Sequence, residues 1–84
     1  MSECGDLLAK ARNNPRGVRF ADLCALAVCF GWVLDRSSGS HHIHKKLGHR
    51  LAMNFQDVRG MAKPYQVRQL LRAIESPQGD DSEQ

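Results

Sequence analysis

No stretch of this 84-residue chain approaches the run of roughly 18 apolar residues that a membrane-spanning helix needs. Its first residues, MSECGDLLAKAR, carry acids where a secretory leader has a basic and then an apolar region. The expectation is a cytoplasmic protein. Cysteine is sparse as well: Cys4, Cys24 and Cys29 make an odd set with no CxxC pair and no zinc-site spacing. Cys24 and Cys29, five apart on an expected helix, point in different directions and read as small apolar side chains without a redox or metal role. Length imposes a further limit. A chain this short forms one domain and buries only about 60% of its unfolded surface, too little for a deep organic-cofactor pocket.

Acidic residues are scarce in the body of the chain. Between Arg16 and Glu75 there are ten lysines and arginines against four acids, a balance of +6, although the whole chain is only +3. The acids gather instead after Ser76, where Asp80, Asp81 and Glu83 face no base. A basic body concentrates polyanions, of which nucleic acid is the commonest in the cytosol.

Hydrophobic periodicity supplies the elements. GDLLAKARNN reads as a short helix stopped by Asn13-Asn14-Pro15, because a residue before proline avoids helical geometry. In VRFADLCALAVCFGW, Phe20, Leu23, Cys24, Ala27 and Phe30 form a helical stripe, with Gly31 placed to end it. Trp32–Arg36 and His41–Lys46 read as strands around a Ser37–Ser40 turn. Arg50–Gln56 alternates apolar and polar, with Leu51, Met53 and Phe55 on one face. DVRGMA reads as a loop. Pro64 then opens an amphipathic helix bearing Val67, Leu70, Leu71 and Ile74, with Arg68 and Arg72 on the opposite side. The expected fold is therefore α+β and two-layered, with helices covering one face of a three-stranded antiparallel sheet in the order (α)-α-β-β-β-α. The divisions are a helical extension over 1–15, a domain over 16–75 and an acidic, disordered tail over 76–84.

The chemistry concentrates in SSGSHHIHKK. Strand alternation sets His42 and His44 on one face and His41 with Ile43 on the other. A His-x-His pair with His49 offers at most three zinc ligands, and neither cysteine nor a carboxylate other than Asp35 lies nearby. His42, His44 and His49 therefore read as surface histidines. If Ile43 faces the helices, His41 lies at the rim of the core, where an oriented imidazole titrating near neutrality suits acid–base work.

RFADLCALAVCFGW, GSHHI, LAMNFQ and GMAKPYQVRQLLRAI, spread from about Val18 to Ile74, together resemble the HicA toxin family of type II toxin–antitoxin modules. The likeness is to a longer subgroup with an extra N-terminal helix. It implies a double-stranded-RNA-binding-domain-like fold and a metal-independent, cofactor-free endoribonuclease acting on mRNA. The histidine after Gly-Ser, here His41, would be the catalytic residue, and a HicB-like antitoxin would be the protein partner. Ser40, Lys45, Lys46, Arg36 and Arg50 are the candidate RNA-phosphate contacts. Two positions differ from the family's habit: Ser38 replaces a common basic residue, and His44 stands where an aromatic is frequent. Two readings compete with the toxin: a non-catalytic RNA-binding or antitoxin-docking module, and a zinc-binding hairpin.

Overall fold

A computed structural model describes residues 3–75; the segment read as an acidic tail, 76–84, lies outside them. The elements are α1 (Glu3–Asn13), a 3-10 turn (Pro15–Gly17), α2 (Phe20–Cys29), β1 (Val33–Ser38), β2 (His41–Lys45), β3 (Met53–Val58), β4 (Met61–Ala62) and α3 (Pro64–Glu75). The class is α+β, and the four strands pair antiparallel in the order β1-β2-β3-β4. No helix among the described residues is long and apolar enough to cross a membrane.

The core lies between the helices and one face of the sheet. α2 buries Phe20, Leu23, Leu26 and Ala27, α3 buries Val67, Leu70, Leu71 and Ala73, and β3 contributes Met53 and Phe55. Full burial of each large apolar side chain contributes about 1.5–3 kcal/mol, so these few residues supply much of the driving force. α1 adds Ala11, with Leu7 and Leu8 packed at the margin. It is therefore part of the core assembly.

Gly31 ends α2 as its position in the sequence suggests. With φ at 97° it lets the Gly31 N–H reach the Val28 carbonyl at 3.1 Å and the Trp32 N–H reach that of Ala27 at 3.0 Å. This paired closure satisfies carbonyls left open at the helix end and turns Trp32 into the core, where it is 1% exposed.

Two expectations are corrected. The sheet has four strands, not three, because DVRGMA is a tight hairpin rather than a loop. Arg59 and Gly60 both take positive φ, 54° and 87°, as a two-residue turn matched to strand twist requires. Asp57 Oδ1 accepts from the Gly60 N–H at 2.6 Å, and Val58 and Asp57 pair with Met61 and Ala62. Beyond β4, Arg19 bridges to Met61, and the Ala62 N–H donates to the Val18 carbonyl at 2.9 Å. β3 correspondingly starts at Met53, which leaves Leu51 outside the strand and 66% exposed.

The second correction concerns cysteine. Cys29 is not an isolated apolar side chain: it forms a disulfide with Cys4, their Cα atoms 5.8 Å apart. The turn at Pro15–Gly17 folds α1 back along α2, bringing the first turn of one helix beside the last turn of the other. Cys24 stays a free thiol, and burial, then the charge of Asp57, push its pKa up to about 11.

Candidate functional site

The β1–β2 hairpin is closed by Gly39 and Ser40, with glycine supplying positive φ (59°) at the first turn position. This fixes Ser38 opposite His41, Ser37 opposite His42, Arg36 opposite Ile43 and Leu34 opposite His44. On its other side β2 sets His41 opposite Gln56, His42 opposite Phe55, Ile43 opposite Asn54 and His44 opposite Met53. Directly paired residues share a face.

The faces are the reverse of the rim arrangement considered for His41. His42 and His44 point toward the helices, and His41 with Ile43 points to the open side. His44 is 2% exposed, with its ring tilted against Phe55 at a centroid distance of 5.2 Å. His42 meets the ring of Phe20 edge-on at 4.9 Å, and His49 meets that of Trp32 at 4.6 Å. These three are not surface histidines; each packs as an aromatic against an aromatic. Burial lowers its pKa; less strongly, the His42 backbone raises it and the His42 ring lowers it. Among the described residues no three His, Cys, Asp or Glu side chains converge on a point that could hold a metal ion.

His41 stands apart. It is exposed, at the first position of β2, and takes part in no side-chain hydrogen bond, ion pair or ring contact among the described residues. Its neighbours on the open face are set by register. Ser38 and Gln56 lie directly across, and Arg36 and Asn54 lie on the diagonals, about 7–8 Å away, within reach of long side chains. An imidazole that can exchange a proton is thereby surrounded by one guanidinium, two amides and a hydroxyl. Such a set can accept a proton from a sugar hydroxyl and stabilise charge on an adjacent phosphate.

The other residues expected from sequence are dispersed. Ser40 is exposed in the turn, and its carbonyl accepts from the Asp57 N–H at 2.9 Å. Arg36 and Lys45 share the open face with His41, and both lean on Asp35, at 3.9 and 3.6 Å. Lys45 is four residues along the strand from His41, about 13 Å. Lys46 folds its side chain beside Gly31 at the end of α2. Arg50 is exposed in the β2–β3 connection, at the far end of the sheet. The structure therefore brings Ser40 and Arg36 to His41, keeps Lys45 on its face at a distance, and separates Lys46 and Arg50 from it.

Sequence reasoning missed Gln56 and Asn54, which join the site only through the β2–β3 register. It also missed Gln66, buried in the first turn of α3. Its Oε1 accepts from the Gln56 N–H at 2.8 Å, serving as a strand partner where β4 has already ended. A two-residue reading of the Gly39-Ser40 turn would have found the Ser38–His41 pair. No local signal marks Gln66.

A scan of protein-family models finds none that matches this chain, and neither curated proteins nor solved structures yield a match.

Proposed function

We propose that this chain is a HicA-like toxin: a metal-independent endoribonuclease that cleaves mRNA in the cytoplasm and is neutralised by a HicB-like antitoxin. The observation that carries the reading is the separation of His41 from the other histidines. Three of the four rings are spent on packing, whereas His41 is presented on an open face beside Arg36, Ser38 and Gln56. RNA carries its own nucleophile in the 2′-hydroxyl. His41 takes that proton as general base, Arg36 stabilises the negative charge at phosphorus, and the amides of Gln56 and Asn54 orient the strand. The new bond from the 2′-oxygen to phosphorus breaks the bond to the 5′-oxygen, which takes its proton from water, and a 2′,3′-cyclic phosphate remains on the upstream fragment.

Inducing the chain in bacteria is expected to stop growth, and His41→Ala is expected to relieve the arrest while keeping the native far-UV spectrum. Undiminished arrest from a folded His41→Ala protein removes His41 from the mechanism.

A second reading, an RNA-binding or antitoxin-docking module without catalysis, is favoured by one feature of the same site. The side chains flanking His41 on the open face, Ser38, Arg36, Asn54 and Gln56, include no second imidazole and no carboxylate to act as its acid–base partner. That reading gives salt-sensitive RNA binding and no cleavage products from the purified protein.

A further inference from the structure

Away from the sheet's open face, the exposed sides of α1 and α3 enclose a shallow groove of about 330 Å³ lined by Arg12, Arg68, Leu71, Arg72 and Glu75. Its charge is uneven. Arg12 Nε donates to Glu75 Oε2 at 3.0 Å, which pins one guanidinium to the wall and neutralises it. Arg68 and Arg72 have no ion-pair partner among the described residues, although they are one helical turn apart on the same face. Like charges at this spacing destabilise an isolated helix by a few tenths of a kcal/mol, so the pair is no aid to folding.

We propose that this groove is a second contact for the phosphate backbone of single-stranded RNA, separate from the His41 face. The planar fork of each arginine can hold a phosphate through two parallel hydrogen bonds. The roughly 6 Å axial offset between Arg68 and Arg72 is commensurate with successive phosphates along one strand. The floor favours a phosphate backbone over an apolar peptide anchor, because Leu71 is only 8% exposed and offers almost no hydrophobic surface. Glu75, the groove's one carboxylate, opposes the anion and makes the site weaker than its arginines alone would be. The inference borrows RNA as the polyanion from the functional reading, but it requires no cleavage.

The test is fluorescence anisotropy with a labelled single-stranded 20-mer RNA, on full-length protein carrying His41→Ala so that the probe survives. In that background, Arg68→Gln/Arg72→Gln should weaken binding about 10-fold and reduce the slope of log K against log salt by about 1.4, two phosphate contacts at 0.7 each. Arg68→Lys/Arg72→Lys should retain the salt slope, and Glu75→Gln should tighten binding. An unchanged affinity and slope in the glutamine variant overturns the proposal, as does weaker binding in Glu75→Gln. Absence of cleavage by the native protein would count against His41 catalysis and leave this result unaffected.

Discussion

The ring of His44 lies tilted against that of Phe55, 5.2 Å between centroids, on the side of the sheet opposite His41. Two histidines three residues apart have thereby been given unrelated environments: one imidazole is part of the core and the other is in solvent. Strand periodicity separates them, and the α2 and α3 layer decides which face is closed.

His44 makes folding sensitive to mild acid. Its folded pKa is lowered from 6.5, chiefly by burial. Above 6.5 the ring is neutral in both states and imposes no penalty. Below it the unfolded chain takes up a proton that the folded chain resists, so stability falls until the pH passes the folded value. His44→Phe keeps a ring against Phe55 and removes the buried group that takes up the proton. Denaturant midpoints of this variant should depend less steeply on pH just below 6.5 than those of the native protein. A slope equal to the native one would show that the His44 proton is not coupled to folding.

The cations near the hairpin should differ in effect according to their distance from His41. Arg36 lies on its diagonal, whereas Lys46 is five residues away, about 16 Å along the strand and beyond the screening length of about 8 Å. Arg36→Gln should slow cleavage of a model RNA by about 10-fold or more, in the manner of losing one charge-stabilising donor. Lys46→Gln and Arg50→Gln should leave the single-turnover rate within about threefold of native. Equal losses in all three would mean that these cations act through general attraction alone.

The disulfide closes a loop across a sequence separation of 25 residues, which in the chain-entropy model is worth about 3.5 kcal/mol. Reduction should lower the free energy of unfolding by that order, measured by denaturant titration with and without dithiothreitol. Ala11 and the Arg12–Glu75 ion pair keep α1 docked in the reduced protein. The free Cys24 should not scramble the pair, since a thiol raised to about 11 carries little thiolate at neutral pH. Equal stability of both redox forms would place the disulfide outside the folding equilibrium.

The helices and their buried stripes were legible in the sequence because burial writes a 3.6-residue period into 20–29 and 64–75. β3 was legible only in part: alternation of Met53 and Phe55 was read correctly, but Leu51 continues the pattern by chance and lies outside the strand. β4 was not legible, since two residues cannot display a period and its turn uses Arg-Gly in place of the familiar Asn-Gly. The sequence separated His41 from His42 and His44 but pointed to the wrong side, because Ile43 is the more apolar residue, whereas the covered face is the one on which the His42 and His44 rings meet Phe20 and Phe55. The Cys4–Cys29 pair depends on how two helices fold back on each other, which no spacing between cysteines encodes.

Gln66 ties the first turn of α3 to the strand that faces His41, through its Oε1 and the Gln56 N–H at 2.8 Å. Its side chain is nearly buried, and its amide Nε2 reaches the Tyr65 hydroxyl at 3.4 Å. Replacing it with methionine preserves length and removes the acceptor, leaving a part-buried N–H unsatisfied at a cost of about 1–3 kcal/mol. Amide hydrogen exchange should locate this loss: the Gln56 amide should exchange faster in Gln66→Met, while that of Asp57, held by the Ser40 carbonyl at 2.9 Å, should change less. Because Gln56 lies across from His41, cleavage should also slow in the variant even where its far-UV spectrum is native. A Gln56 amide that stays fully protected would show that the backbone there does not rely on Gln66.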